Sequence, residues 1–224
     1  MMKKPILVLL LATGLMAMDP AKKHTMLCLG DSYTIGESVH ENERFPMQAV
    51  QLLKGKGLDF DKPVIIAKTG WTTDELQKGI TDAHVSQKFD YVTLLIGVNN
   101  EYRGRDAEEY RKQFDELLNT AIDYANGKRS HVFVISIPDW GATPFAANDP
   151  RQRSRDVIAQ EINHFNAINH EEAVKAKVNY VDIGPIARRA IREPDLTAED
   201  NLHPSGKMYA GWAKLLADAI ARVK

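Results

Sequence analysis

The feature that most limits how this chain can fold is an alternation between short apolar runs and longer amphipathic segments. The apolar runs predict β-strands at residues 25–29, 64–68, 91–96, 131–137 and 179–182. The middle runs are almost continuously apolar, which is typical of parallel strands covered by helices on both faces. Residues 107–126, like the segment before the C-terminus, place their apolar side chains at helical spacing. Five strands with crossover helices predict an α/β fold, a three-layer α/β/α sandwich around a parallel sheet.

A serine follows the first predicted strand. The apolar run ends at Gly30, and Asp31 and Ser32 come next. Open α/β sheets bind their ligands outside the carboxyl ends of the strands, which is where this serine is expected. Gly-Asp-Ser is also an ordinary turn or helix N-cap sequence, so the stretch alone leaves a catalytic and a structural interpretation open. Asp31 is expected to be structural and to accept a hydrogen bond from its own turn.

A candidate base for that serine lies near the other end of the chain, in residues 200–204. His203 could accept the hydroxyl proton of Ser32, and Asp200 could hold the imidazole in the required tautomer. Pro204 restricts His203 to extended backbone geometry, so the chain is expected to turn at Asn201 and Leu202. If a backbone carbonyl holds the ring instead, the site is a dyad without Asp200.

Four short blocks, taken in order, make the chain resemble the SGNH hydrolases, also called GDSL esterases/lipases. The blocks are Gly30-Asp31-Ser32, Gly70, Gly97-Val98-Asn99-Asn100 and Asp200-x-x-His203. The resemblance extends from Met26 to the C-terminus, and it implies a flavodoxin-like parallel sheet with strand order 2-1-3-4-5. Asn100 departs from the family pattern, which usually has Asp at this position. The departure concerns a local hydrogen-bond network rather than catalysis.

The same resemblance implies a serine esterase that hydrolyses a carboxylic ester through an acyl-enzyme. Ser32 is the expected nucleophile, His203 the base and Asp200 the group that orients it. The implied oxyanion hole consists of the Ser32 N–H, the Gly70 N–H and the side-chain amide of Asn99. Glycine suits position 70 because a missing Cβ lets substrate approach the backbone closely.

The loops expected to wall the substrate crevice mix aromatic and cationic side chains. Trp71, Asn100, Tyr102 and Trp140 are candidate substrate-binding residues, although Trp140 and Phe145 could equally cap the sheet edge. These loops suit a small acyl ester, a lysophospholipid or an acetylated-sugar ester. The alternative is a non-catalytic module, either flavodoxin-like or carbohydrate-binding. A nucleotide-binding version is weakened because the chain has no Gly-x-Gly-x-x-Gly or Walker-type loop.

Composition bears on the partners. The formal net charge is −1, which gives no support to nucleic acid as a partner. The one dense basic group, residues 151–155, is interpreted as a solvated helix start. No grouping of histidines has metal-ligand spacing, so neither a metal nor another cofactor is expected. The single cysteine, Cys28, excludes an internal disulfide. The expected partner is a small-molecule ester, and the sequence specifies no oligomeric state.

Residues 1–17 have the pattern of an export signal. Lys3 and Lys4 precede an uncharged run, and residues 15–17 resemble a cleavage site. The run is too short for an ordinary membrane span, so we expect no stable membrane insertion after signal removal. This predicts a periplasmic or secreted protein with one SGNH hydrolase domain at residues 18–224. The alternative is an extra N-terminal strand or helix, with the protein then cytoplasmic.

Overall fold

The strands follow the predicted apolar runs closely. The computed structural model describes residues 23–223, so the predicted export signal lies outside the described residues. The strands are β1 (Met26–Asp31), β2 (Val64–Lys68), β3 (Tyr91–Leu95), β4 (Val132–Ile135) and β5 (Asn179–Val181). They form one parallel sheet in the order β2-β1-β3-β4-β5, which confirms the predicted fold class and strand order.

Two strand ends differ from the prediction by two residues, and both of these differences have a physical cause. β1 is two residues longer at its carboxyl end, because these residues pair with the last two of β2. β4 stops before Ile137, because the backbone N–H and carbonyl of that residue form hydrogen bonds with the side chain of Asn166 instead of with a neighbouring strand. The Asn166 Oδ1 atom lies 2.8 Å from the Ile137 nitrogen, and its Nδ2 atom lies 2.9 Å from the Ile137 oxygen.

Helices cover both faces of the sheet. They are α1 (Ser32–Ile35), α2 (Phe45–Gly55), α3 (Thr73–Asp82), α4 (Val98–Tyr102), α5 (Ala107–Tyr124), α6 (Arg155–Ala176), α7 (Gly184–Ala187) and α8 (Gly206–Ile220). Helices α2 and α8 pack against each other on one face, while α5 packs between α3 and α6 on the other. None of the helices between residues 23 and 223 combines the length and apolarity needed to cross a membrane.

The two central strands are buried along their whole length. Every residue of β1 and of β3 is buried, whereas β2 and β5 at the sheet edges are partly exposed. Burial on both faces explains why these central runs are apolar without alternation. The loops that leave β1 and β3 therefore emerge from the rigid centre of the sheet, side by side at its carboxyl edge.

Candidate functional site

Ser32 is the first residue of α1 and follows β1 without a gap. Asp31 ends the strand and caps the helix, with its Oδ1 atom accepting a hydrogen bond of 3.0 Å from the Tyr33 N–H. The serine is only 4% exposed, so its hydroxyl faces a cavity rather than bulk water. The hydrogen bond expected of Asp31 within its own turn and the position expected of Ser32, just past the carboxyl end of the strand, are both observed.

Ser32, His203 and Asp200 form one continuous chain of hydrogen bonds. The Ser32 Oγ atom lies 2.9 Å from His203 Nε2, and His203 Nδ1 lies 2.6 Å from Asp200 Oδ2. In the tautomer with the proton on Nδ1, the imidazole donates to Asp200 and its Nε2 atom accepts from the serine. This is the arrangement in which an imidazole can take a proton from a hydroxyl group.

The loop between β5 and α8 brings Asp200 and His203 together. Asn201 adopts a left-handed backbone conformation with φ of +60°, so the chain turns where the sequence predicted it. The loop closes through a hydrogen bond of 2.8 Å from the Ala198 N–H to the His203 carbonyl. Asp200 Oδ1 accepts from the N–H groups of Leu202 and His203, each at 2.9 Å.

Asp200 is held in its charged form. Partial burial acts to raise its pKa, but hydrogen bonds from Ser38, Leu202 and His203 outweigh burial and lower the pKa to about 2. The carboxylate is therefore ionised at neutral pH. An ionised carboxylate at this distance stabilises an imidazolium on His203.

Gly70 and Asn99, the expected donors to an oxyanion, both line the same cavity as Ser32 and His203. Gly70 has a φ of +81°, which residues other than glycine adopt only with strain. The backbone conformation therefore explains why this residue is a glycine. The Nδ2 atom of Asn99 lies 3.0 Å from the Trp71 carbonyl and 3.4 Å from Asp31 Oδ2. The shorter contact fixes the orientation of the amide.

Asp31 has an unusual electrostatic environment. It is fully buried, and burial raises its pKa to about 7, although hydrogen bonds from the Tyr33 N–H and the Asn99 amide favour the charged form. Because the Asn99 contact is long, it lowers the pKa of Asp31 by less than burial raises it. This carboxyl group therefore titrates near neutral pH, next to the nucleophile.

The cavity beside Ser32 has a volume of about 150 Å³ and a largely apolar wall. Apart from Thr69 and the candidate catalytic residues, its lining consists of Tyr33, Val98, Tyr102, Trp140, Phe145 and Leu202. Tyr102, Trp140 and Phe145 form one aromatic cluster, with ring centroids 5.3 to 6.4 Å apart. His203 is the one ionisable base or acid in the lining apart from tyrosine hydroxyls, as far as the described residues show.

A buried ion-pair cluster supports this aromatic wall, and it corrects the interpretation of residues 151–155 as a solvated helix start at one position, Arg153; the other four residues are exposed at the start of α6. The side chain of Arg153 is only 6% exposed, and it pairs with Glu101, Asp149 and Glu161. Its guanidinium carbon lies 5.1 Å from the centre of the Trp140 ring. The Trp140 indole N–H donates to Glu101 over 2.7 Å, so the cluster holds the ring by its edge and by its face.

Two of the predicted substrate-binding residues lie away from the cavity wall. The Trp71 ring packs on Gly79 of α3, where an added Cβ would lie 2.0 Å from the ring. Asn100 is buried, and its side chain bonds the N–H and the hydroxyl of Thr73 at the start of α3. Substrate contact by these two side chains finds no support in their positions. Tyr102 and Trp140, in contrast, line the cavity.

No group of three or more His, Cys, Asp or Glu side chains within residues 23–223 is arranged to hold a metal ion. Sequence reasoning missed Tyr33, Thr69, Val98 and Leu202 as lining residues. Each is adjacent in the chain to a predicted site residue, and that adjacency is the signal that could have found them.

The comparisons with known proteins bear on the family and on the fold. A family model described as "GDSL-like Lipase/Acylhydrolase family" matches residues 28–210. No curated protein matches the chain at a significant level.

Several solved structures share the fold at low sequence identity. An acetyl xylan esterase, AlAXEase, is 19% identical with a TM-score of 0.67, and the match covers 88% of this chain and 99% of that chain. Axe2, an acetylxylan esterase from Geobacillus stearothermophilus, is 19% identical with a TM-score of 0.62, over 89% and 93% of the two chains. The psychrotrophic esterase EstA from Pseudoalteromonas sp. is 14% identical with a TM-score of 0.65, over 88% and 97%.

Proposed function

The chain belongs to the GDSL-like lipase/acylhydrolase family and is a carboxylic ester hydrolase, and from that premise we propose that it cleaves small acyl esters through an acyl-enzyme on Ser32. The observation that carries the proposal is the hydrogen-bonded chain from Ser32 through His203 to Asp200, at 2.9 and 2.6 Å. The Ser32 end of these hydrogen bonds faces an apolar cavity that an acyl group can enter.

In the acylation step, the Ser32 Oγ atom attacks the ester carbonyl carbon while His203 Nε2 takes the hydroxyl proton. The tetrahedral intermediate collapses when the bond to the alcohol oxygen breaks, and the imidazolium returns the proton to the leaving alcohol. Water then attacks the acyl-enzyme with His203 as base, which releases the carboxylic acid and restores Ser32. Asp200 stabilises the imidazolium in both steps.

The negative charge on the carbonyl oxygen is stabilised by three donors. They are the N–H groups of Ser32 and Gly70 and the side-chain amide of Asn99. The amide is already oriented by its bond to the Trp71 carbonyl, so little reorganisation accompanies the reaction. Its other hydrogen makes only the long contact with Asp31 and is available to the oxyanion.

The substrate is a short acyl ester, and an acetylated sugar is the favoured natural form. In other proteins, an apolar cavity of roughly 150 Å³ accommodates a ligand the size of benzene. The cavity beside Ser32 has this size, which favours a short acyl group over the long chain of a lysophospholipid. Two of the structural neighbours are acetylxylan esterases, which supports an acetylated sugar as the natural ester.

The proposal is tested with a panel of nitrophenyl esters from acetyl to dodecanoyl, together with acetylated xylan. We expect kcat/KM to be highest for acyl groups of two to about six carbons and to fall steeply beyond them, because the remaining methylenes stay outside the cavity. Phe145→Ala should improve turnover of the longer esters by widening the aromatic wall. Equal turnover of acetyl and dodecanoyl esters by the wild-type enzyme would contradict the assignment of a short acyl group.

A further inference from the structure

Ser38 lies outside the family blocks, yet its hydroxyl contacts the candidate catalytic machinery directly. The Ser38 Oγ atom donates to Asp200 Oδ2 over 2.6 Å, and the same oxygen accepts from His203 Nδ1, also at 2.6 Å. We propose that Ser38 is a positioning residue that holds Asp200 against His203. The proposal rests on the function proposed above, in which Asp200 orients the base.

Asp200 needs such support because it is not enclosed by the protein. Its side chain is 31% exposed, and an exposed carboxylate can rotate into solvent. The backbone N–H groups of Leu202 and His203 hold only one of its oxygens, Oδ1. The other oxygen, Oδ2, is the one that serves the imidazole. Ser38 is the second donor to that oxygen, and it approaches from a different part of the chain.

The backbone at Ser38 is strained, which indicates that a serine at this position has a use. Its φ is +64°, in the left-handed region that glycine adopts freely and serine adopts at a cost. Strained positions persist where the surroundings enforce them, and they cluster at functional sites. A glycine here would avoid the strain but would lose the hydroxyl that reaches Asp200.

The segment that carries Ser38 also connects other parts of the site. It follows α1 directly, and the N–H of Glu37 bonds the carbonyl of Ser32 over 3.0 Å. The carboxylate of Glu37 accepts from the hydroxyl of Thr69, the neighbour of Gly70. One short stretch thus links the nucleophile, the Gly70 loop and Asp200.

The test compares Ser38→Ala and Ser38→Gly with wild type, and it uses Ser130→Ala as a matched control. Ser130 is an exposed serine in the 3-10 turn before β4, at the other edge of the sheet. Alanine removes the hydroxyl and keeps the strain, whereas glycine removes both. If the hydroxyl positions Asp200, both Ser38 variants should lose kcat by roughly tenfold with little change in KM, as expected for losing a hydrogen bond to a charged group. Only the glycine variant should gain thermal stability.

A second readout separates positioning from general structural damage. A carboxylate that leaves the ring no longer stabilises the imidazolium, so the acidic limb of kcat/KM should move to lower pH in both variants. The low-field proton resonance of the His203–Asp200 hydrogen bond should broaden as well. Asp31 beside Ser32, Glu37 next to Ser38, and His40, Glu43 and Glu199 in the surface groove beside Ser38 stay unchanged in every variant, so their charges cancel in the comparison.

The outcomes for Ser38 can be separated from those for the function itself. Ser32→Ala and Asp200→Asn are measured in the same assay. If Ser32→Ala abolishes turnover and Ser38→Ala matches wild type in kcat and in pH profile, the positioning role is wrong and the esterase assignment stands. An acidic limb that moves to higher pH at unchanged kcat would also overturn it, because the hydroxyl would then tune charge without holding the carboxylate. Full activity in Ser32→Ala would remove the premise.

Discussion

Asn99 and Asn100 are neighbours in the chain, but their side chains serve different parts of the molecule. Asn99 lines the cavity, and its amide is oriented by the Trp71 carbonyl. Asn100 is buried on the other side and fixes the start of α3 through Thr73. The first asparagine is therefore the one that can act as the proposed oxyanion donor, and the second belongs to the packing of two helices.

Replacing Asn99 should damage the chemical step specifically. Asn99→Ala removes one oxyanion donor, so kcat should fall by ~10²–10³ with KM nearly unchanged. Asn100→Asp is the matched control, because its carboxylate can still accept from the Thr73 N–H, and its kcat should stay within a few-fold of wild type. Steady-state kinetics on an acetyl ester measures both. Similar losses in the two variants would show that the oxyanion donor has been placed wrongly.

The sequence predicted the site residues that lie in local motifs, and it did not predict contacts between residues that are far apart in the chain. Ser32, Asn99 and His203 follow strands or share a short block, so their meeting point could be inferred. The partnership of Ser38 with Asp200 joins residues 162 positions apart, and no local pattern indicates it. Arg153 was misjudged for the same reason, since the partners that bury it come from other segments.

At the scale of single elements, the short helix α4 combines several tasks in consecutive residues. Asn99 faces the cavity, Glu101 bonds the Trp140 indole, and Tyr102 joins the aromatic wall. The helix begins directly after Gly97, whose φ is +128°. A Cβ at that position would lie 2.3 Å from the Tyr110 hydroxyl, which is itself bonded to Ile96 and Asn169 and cannot move aside.

Gly97→Ala should therefore affect both stability and turnover. The left-handed backbone and the overlap together should cost roughly 3 kcal/mol of unfolding free energy, and the displaced helix should lower kcat through Asn99. Gly57→Ala is the matched control, because Gly57 also has a positive φ, +83°, but has open space around it. The control should lose only about 1 kcal/mol and keep its activity. Urea unfolding of both variants checks this, and equal losses would contradict the overlap at Gly97.

Across the whole molecule, carboxyl groups with a raised pKa and carboxyl groups with a lowered pKa have opposite effects on stability. Burial raises the pKa of Asp31 to about 7, so the folded state binds a proton there that the unfolded state does not bind between pH 4 and 7. Burial, together with the contact with Glu161, likewise raises the pKa of Glu101, against the Trp140 N–H and Arg153. In contrast, hydrogen bonds from Arg153 lower the pKa of Asp149 to about 2, despite partial burial.

These shifts predict a stability maximum in mild acid. As the pH falls from 8 to about 5, Asp31 gains a proton in the folded state, and the melting temperature should rise. Below about pH 4, the stabilisation from Asp149 and Asp200 is lost as they are protonated, and it should fall. Asp31→Asn should raise the melting temperature at pH 8 and have little effect at pH 5. An equal effect at both pH values would contradict the raised pKa of Asp31.

The measurement that tests the acyl-enzyme mechanism most directly is labelling by a nitrophenyl alkyl phosphonate, which traps a nucleophilic serine covalently. We expect intact mass spectrometry to find one phosphonyl group per chain, peptide mapping to locate it on Ser32, and esterase activity to disappear in proportion to labelling. Ser32→Ala should neither be labelled nor hydrolyse esters, while its melting temperature stays close to that of wild type. Labelling at another residue, or turnover by folded Ser32→Ala within a few-fold of wild type, would contradict Ser32 as the nucleophile.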